Sequence, residues 1–239
     1  MHSLKKDYRK LYLLQDKFLK WWADLGLPFY LTGGTALGRF YLNHRYSEDL
    51  DFFVNDDPLF LKYIQRIKDE IEKYFRVDLQ HALFTDEFSR IFITDDDMDL
   101  KIEFVNDVSY RSGNPIPYYF GQLDTPLNIL SNKLGAIISR EEPKDIFDIV
   151  HISVNFSFNW QDVFSDSKKK SVLNEIDVAE RLNTFPSFLL GNIDWNTESI
   201  DHDHFDSVLR KIANDFLLGR DNSVCSGINP IIDAKPLST

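Results

Sequence analysis

The chain has 239 residues, of which 43% are hydrophobic and 14% aromatic, and its formal net charge is −11. This composition is typical of a packed globular protein and excludes an extensively disordered one. The negative charge argues against a protein that grips nucleic acid through its overall field, although a local basic patch is compatible with it. No apolar run reaches the length of a membrane span, and the first residues lack the apolar core of a signal peptide. The only cysteine, Cys225, excludes an intrachain disulfide and favours a reducing cytoplasm.

Hydrophobic periodicity separates helices, where apolar residues recur every three or four positions, from strands, where they alternate. The predicted helices are residues 4–25, 35–42, 59–75, 127–138, 144–152, 172–182 and 205–218. The predicted strands are residues 29–31, 49–54, 77–83, 88–94 and 98–105, the last two forming a hairpin around Asp95-Asp96-Asp97. Residues 106–122 and 156–170 are predicted to be loops, and residues 223–239 an extended tail with few anchors.

The order of these elements predicts an α/β (α+β) fold in two domains. Residues 1–125 are expected to form a domain with a small mixed sheet. Residues 126–239 are expected to form a mostly helical domain that closes its cleft. We place the boundary near Thr125-Pro126, because a loop rich in glycine, proline and aromatic residues leaves the sheet just before it.

A pair of carboxylates follows a glycine pair in the first predicted domain. Side chains alternate across a strand, so Asp49 and Asp51 share one face. Carboxylate oxygens are the ligands that Mg²⁺ prefers, and the ion often keeps waters and substrate phosphates in its shell. Gly33 and Gly34 allow backbone N–H groups to approach a phosphate closely. Alone, an Asp-x-Asp is usually a solvated strand edge and a Gly-Gly a turn, but in this order the two are far more specific.

A second group of charges lies on the two helices predicted after the boundary. Lys133 and Arg140 are about two turns apart on one face of the first helix. Asp145 and Asp148 are three residues apart and share a face of the next. In one interpretation, which follows from the family resemblance described below, Lys133 and Arg140 contact a nucleotide and Asp148 holds Lys133 or the nucleotide. The alternative is an interhelical salt-bridge network, which uses the same residue types.

Together the two groups resemble a known family. The first segment reads Gly33-Gly-Thr-Ala-Leu37, followed by Arg45-x-Ser47-x-Asp49-Leu-Asp51-Phe-Phe53. The second has a Lys, then an Arg after a helix, then a basic-Asp-x-x-Asp run, at Lys133, Arg140, Lys144, Asp145 and Asp148. These motifs resemble those of the AbiEii/AbiGii toxin-type nucleotidyltransferases, within the DNA-polymerase-β-like superfamily.

The resemblance implies that Asp49 and Asp51 bind metal with a third carboxylate from a neighbouring strand. Asp99 and Glu103 are both candidates, since they lie on the polar face of the strand at 98–105. The resemblance favours Glu103, as metal ligand or as base for the attacking hydroxyl. The alternative is an exposed strand carboxylate.

The resemblance also assigns nucleotide-binding and further catalytic residues. The expected nucleotide-binding residues are Gly33, Gly34, Thr35, Arg45, Ser47, Lys133 and Arg140. Lys133 is expected to offset charge on the leaving group, and Asp148 to hold Lys133 or the nucleotide.

The implied reaction moves a nucleoside monophosphate from a nucleoside triphosphate to an acceptor hydroxyl, with Mg²⁺ or Mn²⁺ as cofactor. RNA such as tRNA, or a protein, is the expected acceptor, and an antitoxin protein is an expected partner. We expect no membrane partner and a cytoplasmic enzyme. The alternative is a non-catalytic nucleotide-binding regulator or interaction module that retains the fold.

Overall fold

The computed structural model describes residues 7–95, 98–191, 195 and 199–237. These residues cluster into two compact units. The described residues of the first unit fall within Met1–Ala36, Tyr46–Ser109 and Pro115–Asp124. Those of the second fall within Leu37–Arg45, Tyr110–Asn114 and Thr125–Thr239. The linear division at residue 125 stays a prediction, and helical periodicity carried no sign that 37–45 groups with the helical unit.

A mixed sheet forms the centre of the first unit. Its strands are β1 Tyr30–Thr32, β2 Leu50–Asn55, β3 Arg76–Phe84, β4 Phe88–Asp95, β5 Met98–Asp107, β6 Ile116–Tyr118 and β7 Gly121–Leu123. Among the described residues these strands form one sheet in the order β3-β4-β5-β2-β1-β7-β6. β2 is central, pairing antiparallel with β1 and parallel with β5. Its residues alternate between buried and half-buried, as expected for a strand with one apolar face.

The helices are numbered along the chain through both units. They are α1 Tyr8–Leu25, α2 Gly33–Leu37, α3 Phe60–Ile71, α4 Pro126–Ser139, α5 Pro143–Asn155, α6 Trp160–Lys168, α7 Glu175–Thr184 and α8 His202–Leu217. A π-helical turn at Gly38–Leu42 follows α2 directly. No helix in the described part of the chain is long and apolar enough to cross a membrane.

Aromatic packing fixes which face of the sheet is buried in the first unit. The Trp22 ring of α1 lies 4.4 Å from Phe52 and 5.5 Å from Phe104, centroid to centroid. Burying rings of this size contributes more stabilisation than any single surface contact. The odd-numbered neighbours Asp51 and Glu103 must therefore point to the other face.

In the second unit, α4 packs against α5, α6 and α7. The Thr125 hydroxyl caps the start of α4 by accepting from the Asn128 N–H at 3.4 Å, with Pro126 in the first turn. Asn159 and Asn174 cap α6 and α7 in the same way. These caps satisfy backbone N–H groups at the start of each helix and so help to fix where it begins.

The predicted fold class is confirmed, and three local predictions are wrong. Residues 106–122, predicted as a loop, contain β6 and β7. Each of these strands has only three residues, which is too few to show alternation of apolar and polar residues. Residues 156–170, also predicted as a loop, contain α6. Its buried face includes the small polar Ser167, which weakens the hydrophobic periodicity by which a helix is predicted. The helix start at residue 4 and the turn residues 96–97 lie outside the described residues.

The C-terminal tail is anchored rather than free, which corrects the third prediction. Ser223 donates to Asp215 Oδ2 from its N–H at 2.9 Å and from its hydroxyl at 2.6 Å. Asn229 Nδ2 donates to the Asn155 carbonyl at 2.8 Å. Hydrogen bonds of polar side chains anchor the tail, and such contacts leave no hydrophobic periodicity in the sequence.

Candidate active site

The three predicted metal-binding carboxylates lie along one face of the sheet in the first unit. Asp51 is paired with Glu103 in the parallel register of β2 and β5. Asp49 comes immediately before β2, with a side chain that is 37% exposed, against 16% for Glu103. A patch of negative charge therefore lies opposite the aromatic core, where solvent can reach it.

Two basic side chains on neighbouring strands contact these carboxylates. Lys101 Nζ lies 2.9 Å from Asp49 Oδ2 and 3.4 Å from Glu103 Oε1. Arg90 donates from Nε to the same Glu103 oxygen at 2.7 Å. Burial lowers the pKa of Lys101, but the hydrogen bond to Asp49 and the surrounding negative charges outweigh it and raise that pKa. The Lys101 ammonium is therefore charged at neutral pH.

Asp99, the other candidate for the third carboxylate, lies near the opposite end of β5. It is four positions away from Glu103, which corresponds to about 13 Å along a strand. Its Oδ1 accepts a hydrogen bond from Thr94 Oγ1 at 2.8 Å. The register thus favours Glu103, which is paired directly with Asp51.

The glycine turn lies against Asp51. Gly33 has φ +70°, and a Cβ atom there would meet Asp51 Oδ2 at 2.6 Å. Only glycine tolerates both the backbone conformation and this contact. The Thr35 hydroxyl donates to the Asp49 carbonyl, which ties the helix after the turn to the start of β2. The glycine pair and the carboxylate pair are thus parts of one local structure.

Ser47, predicted to bind nucleotide, is held by the first helix. Its carbonyl accepts from Gln15 Nε2 at 3.1 Å, and its N–H donates to Tyr12 Oη at 3.2 Å. Both partners belong to α1. These contacts position the segment that leads into Asp49.

The donor set of the carboxylate face fits a hard divalent cation. Within the described residues, no three His, Cys, Asp or Glu side chains already form a ready-made metal cluster. The oxygens on this face nevertheless belong to carboxylates, and the Lys101 ammonium lies against Asp49 and Glu103. Mg²⁺ commonly uses one or two carboxylates and completes its shell with water and phosphate oxygens.

A separate group, which we call the α4–α5 charge cluster, lies inside the second unit. It consists of His44, Arg45, Lys133, Arg140, Asp145 and Asp148. Lys133 Nζ lies 2.6 Å from Asp145 Oδ1 and 2.7 Å from Asp148 Oδ2, and none of these three side chains is more than 8% exposed. Arg140, 57% exposed, donates from Nε to Asp145 at 2.7 Å.

Asp148 is the most enclosed carboxylate of the cluster. Arg45 donates to both of its oxygens, at 2.6 and 2.7 Å, and His44 Nε2 lies 2.8 Å from Oδ1. Burial opposes its charge, but Arg45 and Lys133 outweigh that effect and hold the pKa of Asp148 well below its ordinary value. Burial lowers the pKa of His44 in spite of Asp148, so its ring is uncharged near pH 7.

The structure thus brings together four of the five charged residues of the second motif, Lys133, Arg140, Asp145 and Asp148, as partners of one another. Lys133 contacts both Asp145 and Asp148, and the Arg45 guanidinium makes a bidentate interaction with Asp148. These are the contacts that the salt-bridge alternative describes. A role for Lys133, Arg140, Arg45 or Asp148 toward a nucleotide stays a prediction.

The family of the chain follows from a model that matches most of it. The model described as "Nucleotidyl transferase AbiEii toxin, Type IV TA system" matches residues 18–222. The chain belongs to the AbiEii family. This confirms the resemblance drawn from the two motifs, and the enzyme class is nucleotidyltransferase. No curated protein is significantly similar to the chain in sequence.

Solved structures share the fold of this AbiEii-family chain. JHP933 from Helicobacter pylori is 22% identical, with 90% of this chain and 94% of that chain covered and a TM-score of 0.59. A putative nucleotidyltransferase from H. pylori is 21% identical, covering 90% and 96%, with a TM-score of 0.60. MenT4, a nucleotidyltransferase toxin from Mycobacterium tuberculosis H37Rv, is 16% identical, covering 89% and 84%, with a TM-score of 0.58.

Sequence reasoning gave no role to three residues that contact the predicted sites of this AbiEii chain. These residues are Lys101, Arg90 and His44, to which the sequence analysis assigns no function. Their positions depend on the pairing of β4 with β5 and on the segment before Arg45. The alternation of Lys101 with Glu103 is the one signal that pointed to a shared face.

Proposed function

We propose that the protein transfers a nucleoside monophosphate from a nucleoside triphosphate to an acceptor hydroxyl, with a divalent metal ion as cofactor. The acceptor oxygen forms a bond to the α-phosphorus, the bond from that phosphorus to the bridging oxygen breaks, and pyrophosphate leaves. The hydroxyl proton is released to a base. The observation that carries the proposal is the face on which Asp49, Asp51 and Glu103 adjoin the Gly33 turn.

Each part of this face has a task in the proposed reaction. Asp49, Asp51 and Glu103 would hold Mg²⁺ or Mn²⁺, which when bound offsets phosphate charge and favours ionisation of the acceptor hydroxyl. Backbone N–H groups at Gly33 and Gly34 would receive phosphate oxygens, because no side chain separates them from the ligand. Glu103 Oε1 is the candidate acceptor for the hydroxyl proton.

The acceptor and the partner belong to the proposal as well. RNA such as tRNA, or a protein, is the proposed acceptor, because either carries suitable hydroxyl groups. An antitoxin protein is a proposed partner, because the matching family model describes a toxin of a toxin–antitoxin system. The single cysteine suits a reducing cytoplasm as the place of the reaction.

The test is transfer of label from each nucleoside triphosphate to total cellular RNA or protein, with Mg²⁺ or Mn²⁺. We expect Asp51→Asn to lower the rate by on the order of 10²-fold or more while the melting temperature stays close to the wild-type value. Asp99→Asn is the matched control, since it removes a carboxylate from the same sheet away from Asp51, and it should keep its activity.

Two outcomes would count against the proposal. An unchanged rate in Asp51→Asn would remove the assignment of the carboxylate face. Nucleotide binding by the wild type without any transfer, under every acceptor and metal condition, would favour the non-catalytic module that retains the fold.

A further inference from the structure

The Lys101 ammonium lies among the carboxylates that the proposed reaction assigns to the metal. Its contacts are Asp49 Oδ2 at 2.9 Å and Glu103 Oε1 at 3.4 Å, and its side chain is 29% exposed. Lys101 projects from β5, two residues before Glu103 and so on the same face of the strand. The chain therefore supplies a cation of its own to oxygens that a divalent ion would need.

We propose that Lys101 competes with the divalent ion for Asp49 and Glu103, and that it thereby makes metal binding depend on nucleotide. The inference rests on the proposed function, because it concerns the same carboxylates. A carboxylate oxygen that accepts a hydrogen bond from an ammonium is a poorer ligand for a metal ion. Entry of the metal thus carries the cost of breaking the Lys101 contacts.

The nucleotide relieves this cost. Lysine has a compact charge on a flexible stem, so the displaced ammonium can turn toward a new anion. A triphosphate bound beside the metal provides that anion. Each ligand then strengthens binding of the other, and by linkage the two effects are equal. Arg90 cannot replace Lys101 in this role, because its guanidinium contact is with Glu103 alone among the three carboxylates.

The three carboxylates carry more negative charge than Lys101 and Arg90 offset. Attraction for a divalent ion therefore persists, weakened rather than abolished. The arrangement disfavours metal binding without substrate and permits it with substrate.

The experiment is a Mn²⁺ titration of the full chain, with free Mn²⁺ measured by electron paramagnetic resonance. It is done with and without triphosphates of all four bases that carry a methylene group between the α- and β-phosphorus. Without nucleotide we expect Lys101→Met to bind Mn²⁺ tighter than the wild type by on the order of 5-fold or more. The gain in Mn²⁺ affinity on adding nucleotide should shrink correspondingly.

Two variants separate the position of the charge from its mere loss. Lys101→Arg keeps a cation on the face and should remain within about twofold of the wild type, a margin well below the expected coupling. Lys17→Met removes the same charge from the same unit, where Lys17 pairs with Asp95 and is 53% exposed, and it should leave Mn²⁺ affinity unchanged. If Lys101→Met does not fold, Lys101→Gln serves in its place.

The Mn²⁺ titrations distinguish a failure of the proposed competition from a failure of the proposed metal site. If Asp51→Asn abolishes Mn²⁺ binding while Lys101→Met binds Mn²⁺ no tighter than the wild type, the competition is overturned and the metal site stands. If Mn²⁺ binding is indifferent to Asp51→Asn, the metal site itself is overturned and the competition falls with it.

Discussion

At the scale of single residues, the strongest constraint is the contact between Gly33 and Asp51. A methyl group at Gly33 would suffer a left-handed backbone conformation, at a cost of about 1–2 kcal/mol, and would push the Asp51 carboxylate away. We expect Gly33→Ala to lose transfer activity by on the order of 10²-fold, the scale seen when a catalytic group is displaced by about 1 Å. The measurement is the transfer rate beside the melting temperature.

Gly113 provides the control for this prediction. It has φ +71°, nearly the value at Gly33, but a Cβ atom there would meet nothing within 4 Å. Gly113→Ala should therefore lose a similar amount of stability and keep its activity. Equal activity in the two variants would show that the Gly33 turn has only a structural role.

Lys133 and Arg140 offer a second comparison at this scale, because both pair with Asp145 but differ in exposure. Lys133→Met leaves two buried carboxylates short of a partner and should lower the free energy of unfolding by about 3 kcal/mol. Arg140→Met, at an exposed site, should cost less than about 1 kcal/mol. Urea unfolding of both variants measures this difference.

Kinetics of the folded Lys133→Met protein then address the predicted catalytic role. If the ammonium acts on the leaving pyrophosphate, the rate should fall by on the order of 10²-fold with little change in nucleotide affinity. If Lys133 is only structural, the folded fraction should retain nearly the wild-type rate. The predicted role would then have to be given up.

At the scale of elements, α5 presents a face whose charge state depends on pH. Asp145, Asp148 and His151 follow one another at three-residue steps along this helix. Burial, the neighbouring His44 and, to a smaller extent, Arg45 lower the pKa of His151 to about 4. The nearby Asp148 raises this pKa but does not outweigh them. The ring packs against His44 and Phe147, so a charge there has little access to water.

The sign of the effect follows from which state binds the proton first. The unfolded chain protonates His151 near pH 6.5, well before the folded chain does, so folding is favoured above that pH. Stability should fall by on the order of 3 kcal/mol as the pH drops from about 6.5 to 4. Asp145 and Asp148, whose pKa values are lowered, add a further loss at still lower pH.

Urea unfolding between pH 7.5 and 4.5 measures this dependence. His151→Gln should flatten the slope in that range, and the exposed His204→Gln on α8 should not. An unchanged slope in His151→Gln would show that the ring gains a proton as readily in the folded protein as in the unfolded chain.

The helices and strands also show which parts of the structure the sequence predicts and why other parts were not predicted. Long periodic segments such as α1 and α3 were found because their buried stripes repeat every three or four residues. Strand alternation was enough to place Asp49 and Asp51 on one face. The contacts of Glu103 with Lys101 and Arg90 depend on which strands pair and in what register, and these long-range pairings leave no local pattern.

At the scale of the whole molecule, the AbiEii match runs through both compact units. It starts within α1 and ends at residue 222, beyond α8 and just before the anchored tail. The family model therefore covers the helical unit as well as the sheet. In the charge cluster of the helical unit, the buried Asp148 is contacted by residues from two separate stretches of the chain, His44-Arg45 and Lys133.

Net charge gives the last prediction, which concerns an RNA acceptor. The chain carries −11, so it and RNA repel each other at low ionic strength. The basic run at residues 168–170 is short, and two of its three lysines already have partners within the second unit. Lys169 pairs with Asp166 at 3.0 Å, and Lys170 donates to Asn132 Oδ1 at 2.8 Å.

Salt should therefore act on this protein in the opposite sense to its effect on a basic RNA-binding protein. Raising NaCl from 20 to 150 mM shortens the screening length and weakens the repulsion. We expect the rate of transfer to total RNA, at limiting RNA, to stay constant or to rise over this range, with transfer to a small neutral alcohol as the control for effects on chemistry. A basic patch that captures RNA would instead give a rate that falls steeply with salt, since binding then releases counterions. A steep fall would show that a local basic surface, rather than the net charge of the chain, governs the encounter with RNA.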